Sequence, residues 1–390
     1  MNLTSRITSL SLNDTTVFLR ADLNVPIKNG VILNDHRLTA LIPTLSYLLE
    51  HHATIILATH IGRPEHNEPD LSTQNLLPWF KKQGYKIIFA PDLSQIPDLV
   101  HAHPGSIILL ENMRFYPGEQ TNDAVFARQL ASYADYYIND AFALLHRNDT
   151  SITLVPELFA PEKRSIGFLI EDELKHLNQL IEKPKHPFTL ILGGGKIDSK
   201  IPLLKNLIPH IDHLLLCPAI VFSFLKALKK PVGLSLVDDT ALETCLELLA
   251  HAREHNVTVH FPVDYQIAQG SFDGSLSYVD ADIFSDDGVG IAIGPKTYGE
   301  FGTIIRNSNT VFYNGLMGTV ARKETLGGMD AILKAMANSQ GFSVIGGGDS
   351  VAAAEMLGYA DRIGYLSTGG GATLNYLSGA PLPGLKPFLN

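Results

Sequence analysis

The residues best suited to chemistry form two groups, one in each half of the chain. The first half carries basic and polar motifs: RADLN (20–24), THIGR (59–63), ENMR (111–114) and HR (146–147). The second half carries glycine-rich motifs: GGGK (193–196), NG (314–315), GGGD (346–349) and GGG (369–371). Guanidinium groups pair with phosphate or carboxylate oxygens, and glycine turns that lead into helices bind polyphosphates. Two anion sites, one in each half, predict the transfer of a group between two anions.

In the first group, Asp22 and Asn24 lie two residues apart, so in an extended segment both face the same side. There they could accept from and donate to substrate hydroxyls, although Asp and Asn before Val-Pro are also common loop formers. The cationic candidates for binding a phosphate or carboxylate are Arg37, His60, Arg63, Arg114 and Arg147. Each arginine alone is also consistent with a surface ion pair, whereas several that converge on one cleft indicate an anion site.

In the second group, the glycines that end at Gly195 are followed by Lys196 and Lys200, four residues apart. A helix starting at the glycines would place both ammonium groups on one face, within reach of one phosphate chain. The alternative is a solvated lysine pair. Because the spacing differs from the GxxxxGK[ST] pattern of a P-loop, the glycine motif alone is a weak signal.

Asp349 follows three glycines at a point where a helix is expected to begin. Its carboxylate could cap that helix, or help to hold Mg²⁺ that bridges nucleotide phosphates, and the two roles are compatible. The glycines at 369–371 offer a further row of backbone N–H donors. Such donors suit the charge that develops on a phosphoryl group during transfer.

The composition fits a protein with two domains. Its 390 residues are 45% hydrophobic, enough for two domains of about 150 to 200 residues, each with its own core. A net charge of −10 argues against nucleic acid or an anionic membrane as the main partner. The two cysteines, Cys217 and Cys245, are too few for a disulfide framework or a cysteine metal cluster. Without an apolar leader or a run of about 20 apolar residues, we expect a soluble cytoplasmic protein.

Short apolar runs alternate with longer segments of helical period, which predicts parallel sheets covered on both faces. The predicted strands are 16–20, 54–59, 106–110, 136–139, 188–192, 213–216, 258–261, 310–313 and 342–345, and the predicted helices include 37–49, 123–132 and 171–182. The candidate motifs follow such strands, at the edge where parallel sheets bind ligands. The predicted domains are 1–168 and 184–368, joined by a helix over 169–183 and followed by a C-terminal segment over 369–390.

Eight motifs occur in the order and at the spacing of one known family. They are RADLNVP, THIGRP, LLENMRF, NDAF followed by His146 and Arg147, GGGKIDSK, PVDY, GGGDS and STGGGA. Over essentially the whole chain, the sequence resembles the phosphoglycerate kinases. The resemblance implies two doubly wound parallel-sheet (Rossmann-like) domains of the α/β class, joined by a hinge helix, with the C-terminal segment returning to the first domain.

The same resemblance implies a monomer that transfers a phosphoryl group reversibly between 1,3-bisphosphoglycerate with ADP and 3-phosphoglycerate with ATP, using Mg²⁺. The phosphoglycerate would be held by Asp22, Asn24, Arg37, His60, Arg63, Arg114 and Arg147. The nucleotide would be held by Gly194, Gly195, Lys196, Lys200, Asn314, Gly347, Gly348, Asp349 and Ser350, with Asp349 beside the metal. The catalytic set would be Arg37, Lys196, Gly370 and Gly371.

The sequence shows no HRD-type catalytic loop and no evident general base, which fits a carboxylate acceptor. A carboxylate is already ionised at neutral pH, so no proton has to be removed before it attacks. Positioning and charge stabilisation then account for catalysis, with Arg37 neutralising the moving phosphoryl group. Because the two substrates would bind different domains, we expect the domains to close about the hinge during turnover.

The sequence departs from the family pattern around the nucleotide. Cys217-Pro218-Ala219 replaces a triple glycine, Leu316 replaces a proline, Ala321 replaces the glutamate expected to bind the ribose, and Ala292 stands where aspartate is usual. Loss of such a charged acceptor weakens binding by about 1.5 to 3 kcal/mol. We expect an active kinase with weakened or altered nucleotide preference, and the alternative is a catalytically impaired phosphoglycerate-binding or regulatory protein. A nicotinamide-dependent dehydrogenase would need GxGxxG after its first strand, which this chain lacks.

Overall fold

The computed structural model describes residues 4–389, and the contacts within it divide the chain into two units. The first unit is the chain up to Lys175 together with the segment that starts at Pro381, and the second unit is His176–Ala380. Each unit contains a six-stranded sheet whose strands all run parallel. The predicted fold class, an α/β protein with two doubly wound parallel sheets, is confirmed.

The strands of the first unit are β1 (Thr16–Ala21), β2 (Ile27–Lys28), β3 (Val31–Ile32), β4 (Thr54–Ala58), β5 (Ile87–Ala90), β6 (Ile107–Leu110), β7 (Tyr136–Asp140) and β8 (Arg164–Ile166). Its parallel sheet has the order β5-β6-β4-β1-β7-β8, and β2 and β3 form a separate hairpin. Leu19 in the central strand β1 lies opposite Leu57 of β4 and Ile138 of β7. Every residue of β4 is buried, as expected for a parallel strand covered on both faces.

The helices of the first unit are α1 (His36–Ala40), α2 (Ile42–Glu50), α3 (Leu77–Lys82), α4 (Ile96–Ala102), α5 (Ala124–Ala131), α6 (Thr150–Glu157) and the connecting helix α7 (Phe168–Ile181). The single helix predicted over 37–49 is wrong, because the chain forms α1 and α2 with Leu41 between them. Pro43 explains the break, since it has no N–H to donate to the preceding turn. The division between the two units falls inside α7.

The strands of the second unit are β9 (Phe188–Gly194), β10 (His213–Ala219), β11 (Thr258–His260), β12 (Asp264–Gln269), β13 (Leu276–Asp280), β14 (Gly288–Ile293), β15 (Thr310–Asn314), β16 (Phe342–Gly346) and β17 (Tyr365–Leu366). The parallel sheet has the order β11-β10-β9-β15-β16-β17. A second sheet, β13-β12-β14, is antiparallel and was not predicted. The short strands β5, β8 and β17, which extend the parallel sheets, were also not predicted.

The helices of the second unit are α8 (Ile201–Leu207), α9 (Ile220–Ala227), α10 (Leu242–Glu254), α11 (Pro295–Arg306), α12 (Gly327–Ala337), α13 (Gly348–Met356) and α14 (Gly371–Leu377). The helix expected to start at the glycines after β9 begins only at Ile201. Residues 195–200 form a bend and a turn instead. No helix within residues 4–389 combines the length and the apolar composition that a membrane span requires.

The segment from Pro381 packs within the first unit. It forms a short 3₁₀ helix, Pro383–Phe388, and the backbone N–H of Gly384 donates to the carbonyl of Leu145 at 2.9 Å. The ring of Phe388 is fully buried and stacks on Tyr137, with the ring centroids 6.1 Å apart. Strand β7 and this segment are therefore distant in sequence but share one core.

Candidate active site

The predicted residues of the first half lie where the strands of the first sheet end. Asp22 and Asn24 follow β1, His60 and Arg63 follow β4, and Arg114 follows β6. Two further candidates come from neighbouring elements: Arg147 lies in the loop between β7 and α6, and Arg37 lies in α1. The carboxyl ends of adjacent parallel strands meet at one edge of a sheet, so the fold brings these side chains to a common edge.

Asp22 is a buried carboxylate at this edge. Its Oδ2 accepts a hydrogen bond within an ion pair from Nη1 of Arg37, and its Oδ1 lies 3.9 Å from Nδ1 of His60. Oδ1 also accepts from the backbone N–H of Asn24 at 3.2 Å. Burial alone would raise the pKa of Asp22, but the charge of Arg37, the hydrogen bond from the Asn24 N–H and the charge of Arg20 outweigh it and hold the pKa below its usual range. Asp22 is therefore an anion that fixes Arg37 in place.

His60 is only 2% exposed, and its Nδ1 has no hydrogen-bond partner in the part of the chain that the structure describes. Burial lowers the pKa of His60 to about 3, although the neighbouring Asp22 acts in the opposite direction. The imidazole is therefore neutral near pH 7 and has one N–H to donate. A buried polar atom without a partner is costly, which indicates that a ligand completes the site.

Arg114 and Arg147 also have buried nitrogen atoms that lack a hydrogen-bond partner among the described residues. Nη1 of Arg114 donates to the backbone carbonyl of Gly62, whereas its Nε and Nη2 are buried and have no partner within residues 4–389. Nε of Arg147 is also buried without a partner in that range. Burial and the nearby charge of Arg147 lower the pKa of Arg114. Two cations with unused donors side by side are stabilised by an anion between them.

Backbone contacts hold the loop after β4 in this arrangement. Oδ1 of Asn24 accepts from the backbone N–H of Gly62 at 2.8 Å, and Nδ2 of Asn112 donates to the carbonyl of Ile61 at 2.8 Å. The predicted role of Asn24 in contacting substrate hydroxyls thus remains a prediction, and its observed contact positions the loop. Sequence reasoning did not single out Asn112, although its place beside Arg114 in the same motif was the available signal.

Two arginines of the first-half motifs differ sharply in environment. Arg63 is exposed, so it is positioned to contact a ligand only from the solvent side. Arg20 is fully buried and pairs with Glu119 at 3.3 Å, while its Nε donates to Ser151 at 2.6 Å. Arg20 therefore has a structural role, linking β1 to the loop before α5 and to α6.

In the second unit, the glycines end β9. Gly194 has φ +76°, in the left-handed region that glycine adopts without strain. A Cβ on Gly193 would lie 2.8 Å from the carbonyl oxygen of Gly315, so the chain after β15 approaches this turn closely. The turn therefore presents backbone rather than side chains at the carboxyl edge of the second sheet.

Lys196 and Lys200 do not share a helix face, which corrects the prediction. Both precede α8, and Lys196 is exposed whereas Lys200 is 5% exposed. Nζ of Lys200 donates to the carbonyl of Gly193, which holds the lysine under the glycine turn. Burial lowers the pKa of Lys200 to about 8. Only Lys200 is held in a fixed position at the turn.

The ends of β15 and β16 are tied together by side chains. Nδ2 of Asn314 donates to the carbonyl of Gly346 at 2.7 Å, and the backbone N–H of Gly315 donates to Oγ of Ser350 at 3.0 Å. Asn314 and Ser350 are both buried. The structure thus places these two predicted residues together, in contacts that fix the loops around the glycines.

Asp349 does not cap its helix, so that alternative is wrong. The N-cap of α13 is Gly347, at φ +100°, and Gly348 and Asp349 are the first two helical residues. The side chain of Asp349 is exposed and makes no hydrogen bond or ion pair among the described residues. Gly370, at φ +52°, is likewise the N-cap of α14.

The positions that depart from the family pattern fall in two places. Ala219 pairs with Gly194 across β10 and β9, and the carbonyl oxygen of Leu316 lies 3.7 Å from where a Cβ on Gly194 would be. These two residues therefore line the glycine turn. Ala321 is exposed after β15, and Ala292 is buried in β14 opposite Gln266. The replacements thus extend from the glycine turn to the antiparallel sheet.

Two parallel sheets, each with groups at its carboxyl edge that suit an anion, define a two-domain α/β protein of the phosphotransferase class. The sequence matches the family described as phosphoglycerate kinase over residues 7–380. The chain belongs to the phosphoglycerate kinase family.

Individual relatives support membership of this family. A phosphoglycerate kinase of Bdellovibrio bacteriovorus is 37% identical over 388 residues, covering 97% of this chain and 96% of the relative. A cytosolic phosphoglycerate kinase of Triticum aestivum is 40% identical over 383 residues, which cover 96% of this chain and 95% of the relative. The solved phosphoglycerate kinase of Coxiella burnetii is similar with a TM-score of 0.85 and 31% identity, covering 98% of this chain and 97% of that chain.

Family membership confirms the predicted activity. The chain is a phosphotransferase that moves a phosphoryl group reversibly between 1,3-bisphosphoglycerate with ADP and 3-phosphoglycerate with ATP. The alternative of a catalytically impaired binding or regulatory protein is not supported by these comparisons.

Proposed function

We propose that the first unit binds the phosphoglycerate and the second unit binds the nucleotide, each at the carboxyl edge of its parallel sheet. In the first unit, the ligand would contact Asp22, Asn24, Arg37, His60, Arg63, Arg114 and Arg147. In the second unit, it would contact Gly194, Gly195, Lys196, Lys200, Asn314, Gly347, Gly348, Asp349 and Ser350. The enzyme acts as a cytoplasmic monomer.

One observation supports the first assignment most directly. Nε and Nη2 of Arg114, Nε of Arg147 and Nδ1 of His60 are all buried and have no partner within residues 4–389. The donors on the two arginines are charged, and charged donors prefer phosphate or carboxylate oxygens. A compact anion with several oxygens, such as 3-phosphoglycerate, satisfies these groups together.

The chemistry needs charge neutralisation rather than proton transfer. The acceptor carboxylate of 3-phosphoglycerate attacks the terminal phosphorus of ATP, a P–O bond to ADP breaks, and no proton moves. Arg37, oriented by Asp22, neutralises the phosphoryl oxygens from the phosphoglycerate side. Lys196 and the backbone N–H groups at Gly370 and Gly371 act from the nucleotide side. Direct transfer requires the two bound substrates to be brought together during turnover.

The residues fit a magnesium ion bound together with the nucleotide. Asp349 has an exposed carboxylate with no partner among the described residues, in the first turn of α13. Mg²⁺ binds through one or two carboxylates and nucleotide phosphates, so Asp349 is the residue that would hold it. When bound, the ion neutralises charge on the phosphates.

The enzyme binds its nucleotide more weakly than other members of the family do, or prefers a different nucleotide. Ala219, which pairs with Gly194, places a side chain beside the glycine turn where the family has glycine, and Ala321 has no acceptor for a ribose hydroxyl. An unpaired ribose hydroxyl and a narrower base site both weaken binding. The retained Lys200 and glycine turns still serve the phosphates, which all nucleotides share.

The assignment of the two ligands is tested with Arg114→Ala and Arg147→Ala. Isothermal titration calorimetry would measure the affinity of each variant for 3-phosphoglycerate and for Mg²⁺-ADP. We expect the affinity for 3-phosphoglycerate to fall about 10- to 100-fold, because each change removes a charged hydrogen bond of about 1.5 to 3 kcal/mol. Nucleotide affinity should stay unchanged.

Arg128→Ala is the matched control, because Arg128 is an exposed arginine on α5 of the same unit. It should bind both ligands like the unmodified enzyme. Unchanged 3-phosphoglycerate affinity in both site variants, or a matching loss of nucleotide affinity, would contradict the assignment.

A further inference from the structure

A cluster of metal-ligating side chains lies outside the kinase site, at the C-terminal end of α10. His251, Glu254 and His255 each offer one ligand atom, and the three atoms lie within 4.8 Å of one another. Residues three and four apart share a helix face, which explains why these side chains converge. The sequence His251-Ala-Arg-Glu-His255 follows the H-x-x-E-H pattern that binds zinc on the helices of some metallopeptidases.

The hydrogen bonding of His255 already suits a metal ligand. Its Nδ1 lies 3.0 Å from the carbonyl oxygen of His251, and a carbonyl can only accept. The proton is therefore on Nδ1, and Nε2 keeps the lone pair that a metal requires. Metal-binding histidines commonly donate their second nitrogen to a backbone carbonyl in this way.

Two local negative charges also favour a cation, although Lys205 and Arg253 lie nearby and oppose them. The last carbonyls of α10, a helix of 13 residues, carry the negative end of the helix dipole. Glu254 adds a carboxylate, with its Oε2 3.9 Å from Nδ1 of His251. His251 also borders a surface cavity of about 300 Å³, lined as well by Lys205, Glu247 and Leu248. A metal held here would have space for water at its remaining positions.

We propose that His251, Glu254 and His255 form a surface site for a divalent transition metal, with Zn²⁺ as the best match. Ligand atoms around tetrahedral zinc are about 3.3 Å apart, given bonds of about 2.0 to 2.1 Å. Since the three atoms lie within 4.8 Å of one another, the cluster has to close by at most about 1.5 Å. Glu254 and His255 are exposed and can move by this amount, since neither is packed in the core. Imidazole and carboxylate together select Zn²⁺ over Mg²⁺, which prefers oxygen ligands alone.

The test is a titration of the full-length, chelator-treated enzyme with ZnCl₂ in the absence of nucleotide, followed by calorimetry. A parallel titration with CoCl₂ reports the ligand environment through its visible absorption. The site variants are His251→Gln, Glu254→Gln and His255→Gln. The matched control is His101→Gln, because His101 is an exposed histidine in the last turn of α4.

We expect one saturable zinc site that His251→Gln and His255→Gln each weaken by at least about tenfold, as loss of a ligand requires. Glu254→Gln should weaken it less, and His101→Gln should leave it unchanged. Kinase activity should be the same in all variants, which shows that they are folded.

Two results would overturn the proposal. One is the absence of a saturable zinc site in the unmodified enzyme. The other is a site that binds zinc equally well in all three site variants, since the metal would then occupy other histidines.

Discussion

Arg37 is the residue whose variants best separate catalysis from binding. Its Nη1 is held by the buried Asp22, so the guanidinium has a fixed orientation before substrate arrives. We expect Arg37→Ala to reduce kcat by about 10²- to 10³-fold, as removal of a preorganised donor to the transition state does. The KM for ATP should change little. Steady-state kinetics with both substrates varied would measure this, and equal losses in kcat and in ATP affinity would contradict the role of Arg37.

Lys200 gives the nucleotide site a pH dependence. Because burial lowers its pKa to about 8, the side chain of Lys200 is charged at pH 7. It loses its proton, and with it the charge, as the pH rises through about 8. Phosphates bind the charged form, so ADP affinity should fall by up to about tenfold per pH unit above pH 8. In Lys200→Met the affinity should be weaker but flat over this range. Calorimetric titrations from pH 6.5 to 9.5 measure both, and an equally steep fall in the variant would refute the assignment.

At the residue scale, the sequence predicted which residues lie at the ends of the strands better than it predicted their contacts. His60 and Arg114 were predicted as ligand-binding residues, and both have buried nitrogen atoms without a hydrogen-bond partner among the described residues. Lys200 was placed on a helix face, yet its contact is with a carbonyl seven residues earlier. Such a contact depends on how the turn folds back, which residue spacing does not encode.

At the scale of elements, the strand ends were predictable because buried parallel strands are short apolar runs. The observed β4 and β15 differ from the predicted strands only by a residue at one end. Strand β13 of the antiparallel sheet was missed because none of its residues is buried, so it has no continuous apolar run. The break between α1 and α2 depended on a single proline within an otherwise regular helical period.

The close approach of two elements at Gly193 predicts a local effect on stability. Gly193→Ala would place a Cβ 2.8 Å from the Gly315 carbonyl oxygen and 3.2 Å from that of Pro218. We expect the second unit to lose about 1 to 3 kcal/mol of stability and nucleotide affinity to fall, because β15 and β10 must shift.

Gly299→Ala is the control for this change. Gly299 lies inside α11, and a Cβ there meets nothing within 4 Å. Alanine should therefore raise stability by about 0.5 to 1 kcal/mol. Thermal unfolding followed by circular dichroism would compare the two. If the Gly193→Ala protein were as stable as the Gly299→Ala protein, the Gly315 carbonyl would not approach Gly193 closely.

At the scale of the whole molecule, the end of the chain completes the core of the first unit. Phe388 is fully buried against Tyr137, although 251 residues separate them in sequence. Phe388→Ala should destabilise this unit by about 3 to 5 kcal/mol, the usual result of removing a buried phenyl ring. Urea denaturation followed by tryptophan fluorescence measures it, because Trp79, the single tryptophan, lies in this unit.

Leu389→Ala is the matched change, because Leu389 is the next residue and its side chain is 37% exposed. Leu389→Ala should lower the free energy of unfolding by only about 0.5 kcal/mol. Equal denaturation midpoints for the two variants would mean that Phe388 does not contribute to the core. The resemblance predicted that this segment returns to the first domain, but its proline-rich composition, which has no helical or strand period, did not indicate that Phe388 enters the core.

The most direct test of the account is a coupled assay of phosphoryl transfer from ATP, and separately from GTP, to 3-phosphoglycerate with Mg²⁺. We expect turnover with at least one of the two nucleotides, and a reduction of about 10²- to 10³-fold in Arg37→Ala. Absence of turnover with both nucleotides, in a protein that still binds 3-phosphoglycerate, would contradict the account.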